Sequence, residues 1–370
     1  MNKFKFGIEH EVALLRENGE FLDFSNTKFG ELAEIIEKLP QYESDYEYLL
    51  IGDLKIKLKR WYISCYERFN EDGTLRDCEP KGVEIRTTPH VGIKSVIDEL
   101  LESFEQFRKL ALKSGLTPTL TSCNPFRTEF PVIPPFNEYE KSLGRKIPET
   151  KTFNVSVLTY GPDLNISYEG MDDDDLIDYA RKIIYCSPFI IPFSFSSPFY
   201  DGKLWDGYSV RTAMRYKKRP VVIAYLKDKN KIIKTTPWFT ELARSEKEIG
   251  RIEFKAIDTC TDLNIYAGYL ALLKGLMLDK KLKKRLDTPD SRLYDVAAVS
   301  AFDNEEILRG AYDIIAYARE ALQGDPEAKY LDILTEMLDK RFVPAKLMIK
   351  EYQKNGSVKE TLRKFGKLTV

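Results

Sequence analysis

The chain has 370 residues, 43% hydrophobic and 31% charged, and its 57 basic and 58 acidic side chains nearly cancel to a formal net charge of -1. That balance lacks the basic excess by which nucleic-acid binders attract phosphate backbones, so small molecules rather than nucleic acid are the expected partners. The apolar runs are too short and too interrupted by Ser and Pro to span a bilayer, and no signal-peptide core opens the chain, so a cytoplasmic protein without a membrane partner is expected.

In chain order, alternation at period two predicts strands at 3–14, 60–69, 82–88, 163–168, 220–226 and 250–258. Helical spacing predicts helices near 26–38, 172–186, 262–279, 303–322, 326–341 and 357–365, and Val96, Ile97, Leu100, Leu101, Phe104, Phe107, Leu110 and Ala111 form one apolar stripe. The Pro-rich piece 131–135 and the following 141–152 read as a long surface loop. The mixture predicts an α+β fold of about six strands, with an antiparallel sheet that has one polar face. A single domain over 1–370 is expected, its last third (about 262–370) mostly helical.

Two histidines make a His-rich zinc site or a Ser/His/Asp triad hard to assemble, and five cysteines, an odd number without CxxC spacing, do not suggest a disulfide framework and fit a reducing cytosol. Chemistry must rest on carboxylates, Arg and Lys. The first strand places Glu9 and Glu11 on one face, opposite Phe4, Phe6, Ile8 and Val12. In the same way Glu84 and Arg86 oppose Val83 and Ile85, Asp163 and Asn165 oppose Leu164 and Ile166, and Arg251, Glu253 and Lys255 oppose Ile252, Phe254 and Ala256. If these strands share a sheet, the converging carboxylates need cations, and Mg2+ with substrate phosphates is the natural completion. The bland alternative is a sheet with one wet face whose Arg and Lys simply pair with the glutamates.

The segment Gly7-Ile8-Glu9-His10-Glu11 resembles the opening G-x-E-x-E strand of the second type of glutamate-cysteine ligase, a family that includes bacterial carboxylate-amine ligases. Glu84-Ile85-Arg86-Thr87-Thr88-Pro89-His90 is similar to its second acidic strand, and Ser196-Ser197-Pro198-Phe199 with Ser209-Val210-Arg211 to its Ser-Ser-Pro and Tyr-x-Ser-x-Arg region. Arg251-Ile252-Glu253-Phe254-Lys255-Ala256-Ile257-Asp258 resembles its R-x-E-F-R-x-x-D strand, and the cyanobacterial branch is the nearest likeness. The resemblance implies a glutamine synthetase-like catalytic domain, a curved antiparallel funnel with helices on its apolar face. It implies that ATP phosphorylates the glutamate side chain and that cysteine or another amine attacks the acyl phosphate. Carried over, Glu9, Glu11, Glu84, Asn165 and Glu253 would hold Mg2+. Lys255, in place of the usual Arg, would contact the transferred phosphate, Arg211, Arg215 and Arg251 would clamp phosphate or substrate carboxylate, and Arg86 would hold the amino acid. Where relatives often carry a His-containing strand, this chain has Asp163 and Asn165, which puts substrate choice in question.

Other features have plainer readings. Asp172 to Asp175 precede a helix and suit its N-terminus. His10 lies on the apolar side of its strand, and His90 follows Pro89 in a turn, where orienting the strand end and contacting a ribose or substrate are both open. Cys65 and Cys260 read as small buried hydrophobes. Lys280 to Arg285 follow a helix and suit its C-terminus. Tyr216 to Arg219 follow Arg211 and Arg215, so a stretch facing polyphosphate is open. A ligase joining a different carboxylate or amine, a two-metal hydrolase on the same carboxylates, and a catalytically inactive nucleotide-binding protein stay open beside the glutamate-cysteine ligase reading, as does homo-oligomerisation.

Overall fold

The computed structural model describes residues 4–48, 59–146 and 152–370. Its strands are β1 (Phe4–Arg16), β2 (Trp61–Phe69), β3 (Leu75–Arg86), β4 (Leu116–Thr119), β5 (Pro162–Tyr168), β6 (Phe199–Tyr200), β7 (Lys203–Leu204), β8 (Val222–Leu226), β9 (Thr240–Leu242) and β10 (Arg251–Phe254). The six predicted strands are all present, although Lys3, the first residue expected in β1, lies outside the described residues. Seven strands follow one path, β2-β3-β1-β5-β10-β8-β9, and curl into a half-barrel, with β4 pairing to β1 off that path. Every pairing in this sheet is antiparallel except β8 with β9, a parallel departure from the expected arrangement.

The helices are α1 (Phe29–Glu37), α2 (Ile93–Lys113), α3 (Glu138–Lys146), α4 (Phe153–Leu158), α5 (Asp173–Ile190), α6 (Val210–Arg215), α7 (Leu263–Leu278), α8 (Ser291–Ser300), α9 (Glu305–Ala321), α10 (Leu331–Asp339), α11 (Ala345–Asn355) and α12 (Val358–Arg363). α3 occupies part of the stretch expected to be a loop, and residues 147–151 of that stretch lie outside the described residues. Asp172 caps α5 as its position suggested, its Oδ1 accepting from the backbone N–H of Asp174 at 2.9 Å and of Asp175 at 3.0 Å. No described helix is long and apolar enough to cross a membrane.

The alternation read from the sequence sorts the two faces of the sheet. Phe4, Phe6, Ile8, Val83, Ile85, Leu164, Ile166, Ile252 and Phe254 are buried in one large core. Against them pack the apolar stripe of α2, with Val96, Leu100, Phe104 and Phe107 fully buried, and α5 and α7. α7 is apolar nearly all round because α9 and α10 cover its other side. Gly275 permits that contact, since a Cβ there would stand 2.6 Å from Ala318 Cβ. Each large side chain buried here contributes about 1.5–3 kcal/mol, which secures the register that the opposite, polar face needs.

Candidate active site

Pairing register brings the acidic strands together. Glu9 faces Arg86 on β3 and Asp163 on β5, Glu11 faces Glu84, and Glu253 faces Asn165. Since alternate residues share a face, these side chains, with Arg251, rise from the polar face of the half-barrel, opposite its buried apolar face. The wet-face alternative is thereby sharpened: oxygens of Glu9, Asp163 and Glu253 lie within 4.8 Å of one another. Like charges this close repel strongly unless cations stand among them.

Two side-chain cations do. Lys255 Nζ donates to Asp163 Oδ2 at 2.5 Å and to Glu253 Oε1 at 2.7 Å. Arg251 Nη1 lies 3.4 Å from Glu9 Oε1 and 3.2 Å from Asn165 Oδ1, while its guanidinium stacks 4.1 Å from the Tyr225 ring centroid. Tyr225 Oη donates to Glu253 Oε2 at 2.6 Å. Burial alone would raise the Glu253 pKa, but Lys255 and Arg251 overcome it and hold it at about 2. Burial, with Glu253 and Glu9 adding repulsion against the pull of Lys255, lifts Asp163 to about 6. Among the described residues no Lys or Arg forms an ion pair with Glu84. Burial and then the charge of Glu9 push it up to about 8, with Arg86 opposing.

Glu11 is set apart from the carboxylate triplet. It pairs with Lys81 at 2.7 Å, accepts from Ser64 Oγ at 2.9 Å and accepts the Gly161 N–H at 3.0 Å. Burial works against its charge, yet Lys81 and Ser64 hold its pKa below the usual carboxylate range.

A cavity of about 880 Å3 opens over the Lys5 end of this face. Glu9, Arg86, Asn165, Arg251, Glu253 and Lys255 line it, joined by Tyr225 and by Arg244 to Gly250 from the loop between β9 and β10. Arg86 Nη2 also donates to the Lys59 carbonyl at 3.0 Å.

Arg211 and Arg215 come from α6, and neither lines this cavity. Arg211 Nη2 donates to the Lys255 carbonyl at 3.1 Å, and the guanidinium lies so close over Gly161 that a Cβ there would stand 2.3 Å from Nη2. Its Nε and Nη1 are buried without a hydrogen-bond partner. Arg215 Nη1 donates to the Pro220 carbonyl at 2.6 Å, and burial with the nearby Arg211 and Arg219 lowers its pKa to about 9. The Tyr216 to Arg219 stretch does not line the cavity over the carboxylates.

Asp258, quoted above as the last residue of a motif without a role of its own, ties three segments together. Its carboxylate accepts from Ser196 N at 3.0 Å, Ser197 Oγ at 2.7 Å and Ser209 Oγ at 3.0 Å, and it lies 3.9 Å from Arg211 Nη1. The Ser-Ser-Pro and Ser-x-Arg segments thus serve to hold Arg211 in place. Lys81, Ser64 and Tyr225 were also missed as site neighbours. Lys81 and Ser64 flank an irregularity in the β2/β3 pairing that disturbs the alternation, and Tyr225 belongs to a strand whose every residue is buried.

His10 is fully buried, with Nε2 2.9 Å from Thr259 Oγ1, and is a core histidine as its position predicted. His90 closes a two-way backbone bridge with Phe6, and its ring meets Glu99 at 2.6 Å, so it orients the end of the strand.

No protein-family model matches the sequence, and no curated protein does. Solved structures that share its fold include three ligases. The bifunctional glutathione synthetase from Pasteurella multocida aligns with TM-score 0.62 at 11% identity over 99% of this chain and 52% of its own. The glutamate–cysteine ligase from Francisella tularensis, solved with AMP, aligns with TM-score 0.58 at 11% identity over 99% of this chain and 88% of its own. The ligase PafA, solved with the prokaryotic ubiquitin-like protein Pup, aligns with TM-score 0.54 at 10% identity over 96% of this chain and 69% of its own. The curled half-barrel with helices on its apolar face is therefore the fold of these ligases. The chain spans about half the length of the glutathione synthetase it matches.

Proposed function

We propose that this chain is an ATP-dependent carboxylate-amine ligase, and that its reaction is the joining of glutamate to cysteine through a γ-glutamyl phosphate. The observation that carries the reading is the oxygen triplet of Glu9, Asp163 and Glu253 at the edge of a cavity of about 880 Å3 lined by Arg86, Arg251 and Lys255, in a fold shared with three ligases. The donor set suits Mg2+, which takes oxygen ligands and keeps positions for phosphate oxygens. Glu9, Asp163 and Glu253 would hold the ion, with Asn165 beside them and Glu84 and Glu11 further along the face. Bound there, Mg2+ would neutralise charge on the ATP phosphates.

The chain's own groups supply the rest. Lys255 and Arg251 offer positive charge to the phosphoryl group in transfer, which needs positioning and electrostatic stabilisation more than covalent help. An oxygen of the substrate carboxylate attacks the γ-phosphorus and ADP leaves. The amine nitrogen then attacks the acyl carbon, phosphate leaves and the nitrogen loses its proton. Arg86, which lines the cavity, is the group suited to clamp substrate carboxylate, while Arg211, buried beside Asp258 and outside the cavity lining, would act on the site through the Lys255 carbonyl that it holds.

The test is phosphate release from MgATP with glutamate, with and without cysteine, while other amines are scanned in parallel. Release that needs both amino acids and yields γ-glutamylcysteine supports the reading. Release with a different amine keeps the mechanism and changes the product, and no release with any pair overturns it.

A further inference from the structure

The residue that satisfies the carboxylate triplet also blocks it. Lys255 Nζ stands at hydrogen-bond distance from Asp163 Oδ2 and Glu253 Oε1, two of the three carboxylates suited to a divalent ion. A magnesium ion needs its ligand oxygens at about 2.1 Å. An ion sharing oxygens of Asp163 and Glu253 would therefore press against the ammonium, and two cations at that separation repel strongly. Both cannot occupy the place.

We propose that Lys255 acts as a resident cation exchanged for the metal: it neutralises the triplet before loading and is expelled into the cavity when the divalent ion binds. This rests on the ligase reading and adds a positioning role to it. The charge balance favours the exchange. Lys255 and Arg251 set two positive charges against three carboxylates and leave one negative charge in excess. Replacing the ammonium by a divalent ion brings the cluster to neutrality and releases one positive charge. The released charge has a place to go, because Lys255 already lines the cavity and is joined to its carboxylates by a flexible four-carbon stem. Arg251 stays behind, since Glu9, Glu248 and the Tyr225 ring hold it from other sides. A guanidinium at position 255 would be a poorer exchanger. Its planar fork suits bidentate retention by carboxylates, whereas an ammonium leaves as a point charge. The lysine at this position and the aspartate at 163 thus form a matched pair.

The exchange is tested without turnover. Mn2+ binding to the nucleotide-free protein, read by electron paramagnetic resonance, is compared for the native chain and Lys255→Met. The variant is expected to bind Mn2+ at least about tenfold more tightly, because the competing cation is gone. Independently, reductive methylation of the native protein mapped by mass spectrometry is expected to label Lys255 several-fold faster with Mn2+ present. Labelling of Lys94, an exposed residue paired with Asp98, should not change. Equal or weaker Mn2+ binding by the variant, or Lys255 labelling indifferent to metal, overturns the exchange while leaving the ligase reading intact. Absence of Mn2+ binding by both proteins at millimolar metal overturns the cation site itself. Should Lys255→Met fail to fold, the labelling of the native chain decides alone.

Discussion

Glu84→Gln should stabilise the metal-free protein at high pH and do little at low pH. Glu84 lies opposite Glu11 and Tyr62 in the sheet, and burial followed by the charge of Glu9 raises its pKa to about 8. A carboxyl whose folded pKa exceeds its unfolded value binds its proton more tightly when folded. Its contribution is therefore complete below about pH 4.5, and stability is lost as pH rises through 8. At about 1.4 kcal/mol per pH unit, the interval from 4.5 to about 8 corresponds to a loss of at most about 5 kcal/mol, an upper bound because the Glu84 side chain keeps some contact with water. The glutamine variant keeps the shape and carries no charge to desolvate. Guanidinium unfolding in a chelator should find the two proteins within about 1 kcal/mol near pH 5, and the variant several kcal/mol more stable near pH 9. Saturating Mg2+ should restore the native chain at high pH by favouring the carboxylate. A difference between the two proteins that is flat from pH 5 to pH 9 would refute the reasoning.

Glu9→Gln and Glu253→Gln should each lower phosphate release at least about a hundredfold while circular dichroism stays native, since each removes a cation-facing oxygen charge without changing volume. Native rates in either variant would sink the assignment. Gly161→Ala forces a Cβ to within 2.3 Å of Arg211 Nη2, so the guanidinium must move. Activity should fall and unfolding should show a cost of about 1–3 kcal/mol, whereas an unaffected variant would mean that Arg211 has no fixed role. Burial lowers the His10 pKa to about 4, so an unfolded chain takes up that proton first and stability drains away as pH falls from 6.5 toward 4. The loss attributable to His10 is about 3 kcal/mol, and His10→Gln should flatten that part of the acid unfolding profile measured by denaturant titration.

The polar face of the sheet was readable because side-chain alternation needs nothing but a strand long enough to repeat, as in β1, β3 and β5. β9 has three residues and β4 four, one of them Pro118, so neither holds enough of a period to detect. The parallel pairing of β9 depends on how the chain returns to the sheet edge, which local pattern does not encode. α6, six residues long, is too short for an apolar stripe, so Arg211 and Arg215 could be assigned only through motif resemblance. The sequence pattern grouped Glu9, Glu11, Glu84 and Glu253 as equals. Register and cations separate them: Glu9 and Glu253 converge with Asp163, Glu11 is claimed by Lys81 and Ser64, and Glu84 stands raised in pKa between. A one-dimensional pattern gives the face of a side chain but not the partner that competes for it.

The central claim is that phosphate leaves ATP by way of a substrate carboxylate, and a turnover run in water enriched in oxygen-18 tests it most directly. With MgATP, glutamate and an accepted amine, the account predicts that released phosphate carries no solvent oxygen, its added oxygen coming from the carboxylate. One solvent oxygen-18 in each released phosphate would contradict it and show water to be the attacking group.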